Sequence, residues 1–377
     1  MIIGVPKETH RHEHRVGMNP FAVSRLTSQG HQVLVERGAG ETARFADRDY
    51  QTRGGKIVFS SEEIYGRADV VARVGTIASD EIETLKRGSI ICSFQHLAVA
   101  PRRTVDRLME LEATLIGYEI IRDPHGDLPV LIPFSEMAGQ MAVTIAAYLL
   151  QNEEKGRGIL MGNVCGVPPP TVLILGAGTA GHAAARQALA CGAHVIVLDA
   201  DLRKLQRINS EFSGRAVTAV PGMVRLERYT TIADVVIGAI LIPGGRAPFL
   251  ITEEMIRGMK PGSVVIDVSI DQGGCIETSR PTSIADPTFI VHDVVHYCVP
   301  NMTANVARTA SRALASAALP YLMELAAKGL ETTLRENPGV ADGVYLYRGR
   351  MVNRRTAETH AIPATPLAAA LEEARDK

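Results

Sequence analysis

Three glycines, Gly176, Gly178 and Gly181, stand between the apolar run TVLIL and an Ala-rich stretch, and Asp199 closes the next apolar run. Strand, glycine turn, helix, strand and acid in that order make a dinucleotide site. The first glycine allows a tight turn and the second lets the backbone approach a pyrophosphate. The third lets helix and strand pack closely, and the helix N-terminus offers unpaired N–H donors. Asp199 would accept hydrogen bonds from ribose hydroxyls and repel a 2′-phosphate, which points to NAD over NADP, with Arg203 and Lys204 as nearby cations. His96 follows the apolar run IICSFQ and Asp271 follows VVIDVSI, each at the C-terminal end of a strand pattern, where α/β sheets hold ligands. A histidine there can transfer protons near neutral pH. Asp271 precedes Gly273 and Gly274 and either caps a turn or takes part in the chemistry.

These residues need elements to position them, and the chain supplies two sets. A length of 377 residues predicts two domains. Strand-like and helix-like patterns alternate from residues 1–5, through 31–36, 70–74 and 89–94, to about residue 135, a βαβ rhythm. A helix is expected over 135–151, then the loop GNVCGVPPP, then the glycine-rich stretch with further strands near 233–240, 263–268 and 288–291. A long helix from 306 to 327 returns the chain to the first domain, and the tail after Gly339 reads as irregular. The expected domains are therefore 1–135 with 306–377 for substrate, and 136–305 for the dinucleotide.

Composition narrows the partners. Lys+Arg of 40 against Asp+Glu of 41 leaves a net charge of -1 without a basic run, so no nucleic acid or anionic membrane is expected. Five cysteines without a paired spacing read as reduced thiols, and the N-terminus shows no secretory apolar core, which points to the cytoplasm. His10, His12 and His14 alternate on a loop without thiolate partners, so no metal is expected.

Several longer phrases carry a resemblance. MIIGVPKE with Arg15, RGAGE at 37–41, His96-Leu-Ala, SEMAG at 135–139, GAGTAG, IGAILIPGGRAP at 237–248, IDQGG at 270–274, SRPT and VHYCVPNM span nearly the whole chain. The sequence resembles alanine dehydrogenases, in the family that includes the NAD-binding subunit of proton-translocating transhydrogenase. The resemblance implies an α/β chain of two Rossmann-like, doubly wound domains with the active site in the cleft between them, and a homo-oligomer, usually a hexamer. It implies reversible oxidative deamination of an amino acid to a 2-oxo acid with hydride passed to NAD. By motif, Arg15 corresponds to the carboxylate-binding arginine, His96 to the acid/base histidine and Asp271 to the aspartate that helps activate water. On the cofactor side the resemblance implies Ser135, Gly176, Gly178, Thr179, Ala180, Gly181, Asp199, Lys204, Ile240, Leu241, Asp271 and Met302, and on the substrate side Asn301.

One position departs from the pattern. Where alanine dehydrogenases carry a lysine at the pyruvate end of the substrate, the segment ADVVARVGTI puts Gly75. Arg73 lies two residues back, on the same strand face. Two readings stay open: Arg73 supplies the missing cation, or it replaces a structural lysine. Loss of the long side chain predicts a pocket that admits an amino or imino acid larger than alanine. Phe134, where methionine is common, and the two prolines missing from NMTANVARTAS point to the same change. Two other classes compete: a cyclodeaminase-type lyase using bound NAD transiently, and a non-catalytic NAD-binding homologue.

Overall fold

In the second half of the chain, successive residues of each strand are buried on opposite faces. Val172, Ile174, Val195, Val197, Val235 and Ile237 join one apolar cluster, while Leu173, Leu175, Ile196, Leu198 and Val236 join another. A parallel sheet covered by helices on both faces produces that pattern. The computed structural model describes residues 1–373.

The first unit comprises Met1–Phe134, Pro243–Gly245 and the chain from Ala304 onward. Its eight-stranded sheet runs β15-β14-β6-β5-β4-β1-β2-β3. The strands are β1 (Ile2–Val5), β2 (Gln32–Glu36), β3 (Lys56–Val58), β4 (Val70–Ala72), β5 (Ile90–Ser93), β6 (Thr114–Gly117), β14 (Val344–Tyr347) and β15 (Arg350–Met351). From β3 to β6 all pairs are parallel, in the order that places a topological switch between β1 and β4. The second unit comprises Ser135–Ile242 and Arg246–Thr303. Its seven-stranded sheet runs β12-β13-β11-β10-β7-β8-β9. Here β7 is Thr171–Leu175, β8 His194–Leu198, β9 Ala216–Ala219, β10 Val235–Gly238, β11 Val264–Asp267, β12 Thr288–Val291 and β13 Val294–Tyr297. Only the edge strand β12 is antiparallel. Both units are Rossmann-like.

The tail after Gly339 is not irregular, which corrects the sequence reading. Val344–Tyr347 adds antiparallel to β6, and Arg348 and Gly349 make a two-residue turn to β15, both at positive φ (47° and 76°). The short segment Pro243–Gly245 also belongs to the first unit, where Arg355 and Thr356 donate to the carbonyls of Pro243 and Gly244. No helix among the described residues is long and apolar enough to cross a membrane.

Candidate active site

The C-terminal ends of β1, β4 and β5 surround the switch point of the first sheet, and the residues singled out there leave those strands directly. His96 adopts left-handed backbone geometry, φ 42°, ψ 38°, uncommon for a residue other than glycine. A buried carboxylate holds it there. Glu119, just past β6, accepts the backbone N–H groups of Gln95 (3.1 Å) and His96 (2.7 Å) and the hydroxyl of Tyr345 (2.8 Å). The imidazole stacks on Phe94, with centroids 6.2 Å apart. Ser93 Oγ, Gln95 Nε2, His96 Nδ1 and Tyr118 Oη are buried here with no hydrogen-bond partner in the protein. Unmet polar atoms gathered at one strand end mark a place built to meet a ligand.

Glu119 was not singled out in the sequence, since its partners are backbone amides some 23 residues away. Truncating it leaves two N–H groups and a hydroxyl unpaired and releases the His96 turn. Glu119→Ala is expected to lower kcat by up to about 100-fold with NAD affinity unchanged, and Glu119→Gln to recover part of the loss. Steady-state kinetics beside NAD titration check this.

Arg15 is 2% exposed, and its Nε and backbone N–H donate to Glu13 Oε1 at 2.7 and 3.0 Å while Nη2 donates to Glu13 Oε2. The Arg15 contacts draw the Glu13 carboxyl below its ordinary range, although burial opposes them. Phe134 lies under Arg15, with Cζ 5.8 Å from the ring centroid, and packs edge-on to Phe94 at 4.7 Å. At 6% exposure Phe134 is buried beneath the arginine.

Arg73 does not present a cation for a substrate. It is fully buried, with Nη2 on Glu8 Oε2 at 3.0 Å and Nη1 on Glu81 Oε2 at 3.2 Å and Tyr65 Oη at 2.8 Å. Burial disfavours its charge, yet the carboxylates of Glu8 and Glu81 hold its pKa above the ordinary arginine value. The geometry is that of a structural cation tying the β1 and β4 loops together. Arg73→Met strands two buried carboxylates and is expected to cost about 3–5 kcal/mol in denaturant unfolding. A raised KM at unchanged stability would instead mark a substrate contact. Gly75 differs sharply: a Cβ built there meets only Glu8 Oε2, at 3.9 Å.

In the second unit the glycines behave as the motif requires. Gly176 has φ +103°, and a Cβ on it would come within 2.5 Å of the Ala239 carbonyl. A Cβ on Gly181 would overlap the Gly176 carbonyl, whereas Gly178 faces open space. The helix Thr179–Cys191 begins at Gly178 with no side-chain cap, so its first amides point outward. Asp199 accepts from Ala177 N at 2.7 Å, with Lys204 Nζ 4.0 Å away. Gly139 of SEMAG, four residues after Ser135, lets the helix Ile132–Leu149 approach Ala180: a Cβ there would overlap the Ala180 carbonyl.

Asp271 sits in the 3₁₀ turn Val268–Gln272, beyond the strand end, and its Oδ1 accepts the backbone N–H of Asn301 at 2.8 Å. That bond fixes Asn301 at φ 52°. Ile240 and Leu241 follow β10, with Leu241 exposed and the Ile240 N–H on Ser269 Oγ at 2.8 Å. Met302 is 4% exposed and packs in the core cluster of the second unit. Asp267, not singled out earlier, is the buried anchor of IDQGG: it accepts from Ser269 N and Cys275 N, both at 3.0 Å. His96 and Arg15 thus belong to the first unit, and Asp271, Asn301 and the glycine turn to the second.

The models of the N-terminal and C-terminal domains of alanine dehydrogenase/PNT match residues 4–138 and 142–354. The chain belongs to the alanine dehydrogenase/PNT family. It is 42% identical to an alanine dehydrogenase of Mycobacterium tuberculosis over 371 residues, covering 98% of this chain and 100% of that protein. An alanine dehydrogenase of Halomonas elongata is 41% identical, over 95% of this chain and 96% of its own. Among solved structures, an L-alanine dehydrogenase superposes with TM-score 0.88 at 38% identity, covering 96% of this chain and 99% of the other. A transhydrogenase from Sinorhizobium meliloti gives TM-score 0.77 at 25% identity, covering 94% and 99%. The two domain models of the alanine dehydrogenase/PNT family meet between residues 138 and 142, just after the point where the first unit gives way to the second.

Proposed function

We propose that this member of the family oxidises an L-α-amino acid with a side chain larger than that of alanine to its 2-oxo acid and ammonia, and runs the reverse amination. The coarser part follows from membership along the full chain: it is an NAD-dependent amino-acid dehydrogenase. The observation that carries the finer part is the open space at Gly75, where the only neighbour of an added Cβ is a carboxylate oxygen.

The second unit fits NAD. Gly178 leaves room for a pyrophosphate, uncapped amides of the Thr179–Cys191 helix face it, and Asp199 stands at the end of β8 for the ribose hydroxyls. Thr179 and Ala180 lie at that helix start, with Ser135, Ile240 and Leu241 as further contacts. When bound, NAD accepts the hydride leaving the substrate Cα. The chain's own residues do the rest. Arg15, its Nε edge locked by Glu13, holds the substrate carboxylate in a planar fork. His96, fixed by the Glu119 turn, moves protons as the amine becomes an imine and water adds. Asp271 holds the Asn301 turn and helps activate that water.

The same reading assembles the chain as a homo-oligomer, a hexamer by family resemblance, in the cytoplasm. Turnover with one NADH and one ammonia formed per amino acid consumed supports a dehydrogenase. Consumption of amino acid with no net NADH would return the lyase reading, which full-length similarity to dehydrogenases does not favour.

A further inference from the structure

Away from the residues assigned above, the first unit has a cavity of about 340 Å³, lined by Arg44, Arg53, Arg308 and Arg312, with Phe21 and Phe45 beside them. Asp49 is the lining carboxylate, and it is already engaged, accepting the Ala46 N–H at 2.9 Å in the cap of its own helix. No described carboxylate lies within ion-pair distance of any of the four guanidinium groups. All four arginines are exposed, so water screens their mutual repulsion, and what the cavity offers is a convergence of guanidinium donors that an anion of several charges can engage together.

The cavity is organised before any ligand arrives. Arg308 is pinned: Nη1 donates to the Arg44 carbonyl at 2.7 Å, and its Cζ stands 5.1 Å from the Phe45 ring centroid. Arg44 has φ 65°, the left-handed turn that closes Glu41–Ala43. Phe21 is 55% exposed at the rim and offers a flat apolar face. Guanidinium forks match phosphate oxygens two at a time, and the volume suits a nucleotide-sized molecule.

The same elements hold the segment that carries Arg15. Ser311, between Arg308 and Arg312 on the helix Ala307–Lys328, accepts the Val16 N–H at 3.0 Å. Thr42, two residues before Arg44, donates to the His14 carbonyl at 2.9 Å, and Tyr50 donates to the Met18 carbonyl at 3.0 Å. Residues on both sides of Arg15 are therefore bonded to the segments that carry the cavity's lining residues.

We propose that this cavity binds a small phosphorylated anion of two or more charges, and that its occupancy changes the KM for the amino acid through the Arg15 segment. The second clause rests on Arg15 being the carboxylate-binding residue; the first does not. The test is calorimetric titration of the full-length protein with inorganic pyrophosphate at saturating NAD, so that the dinucleotide site is filled, in 150 mM salt with sulfate as the control anion. Saturable binding near one per chain, weakened about tenfold or more by Arg53→Ser with Arg312→Ser at unchanged melting temperature, is the expected result. The amino-acid KM should move with pyrophosphate in the wild type and not in the double variant, while NAD affinity stays constant. Absence of saturable binding, equal binding by the variant, or equal competition by sulfate overturns the site. So does dissociation of an oligomer on Arg312→Glu without anion binding, which would make this face a subunit contact. Saturable binding with KM unmoved overturns the coupling to Arg15 alone.

Discussion

His96→Ala is expected to lower kcat by about 10²–10⁴ while leaving the NAD dissociation constant within about twofold of the wild type. The imidazole is the titratable group at the C-terminal end of β5, and its left-handed backbone is held by Glu119 through two N–H groups. Strain of that kind persists where the surroundings enforce it. The fold should survive the substitution, because the ring is half-buried and the anchoring bonds are made by the backbone. Rapid-quench turnover beside a binding titration separates the two effects. A variant that kept full kcat would remove His96 from the chemistry.

Gly75→Lys is the second large effect, and it is a gain. The backbone there is not left-handed, and a Cβ meets only Glu8 Oε2, at 3.9 Å. An ammonium placed there can reach Glu8, whose Oε1 already takes the Val74 N–H at 2.6 Å and whose Oε2 takes Arg73. A charge-assisted bond to a small 2-oxo acid is worth about 1.5–3 kcal/mol, so kcat/KM for alanine and pyruvate should rise roughly 10- to 100-fold. Turnover of the larger substrate should fall, because the new side chain fills the space it used. Equal alanine turnover by wild type and variant would mean that the open space is not a specificity element.

Much of this was legible in the sequence because its causes are local. Gly176 and Gly181 are forced by a positive φ and by a carbonyl one turn away, so the motif carries its own geometry, and both buried faces of β7 and β8 show as unbroken apolar runs. What escaped depends on partners distant in the chain. In the sequence Arg73 reads equally as a substrate cation or a structural one, and only Glu8 and Glu81 closing around it decide, while Glu119 is an ordinary acid until two backbone amides are found on it. The β14–β15 hairpin was missed because Arg348-Gly349 is a weaker turn signal than Asn-Gly and because β14 pairs with β6 from the far end of the sequence.

The proposed opening of this dehydrogenase at Gly75 to a larger amino acid is decided by substrate preference. The direct measurement is kcat/KM from NADH absorbance for the wild-type protein with NAD and a panel of L-amino acids of increasing side-chain volume, alanine included. A larger amino acid is expected to exceed alanine by at least about tenfold. A maximum at alanine would contradict it and show that the chain holds the small substrate without a lysine at position 75.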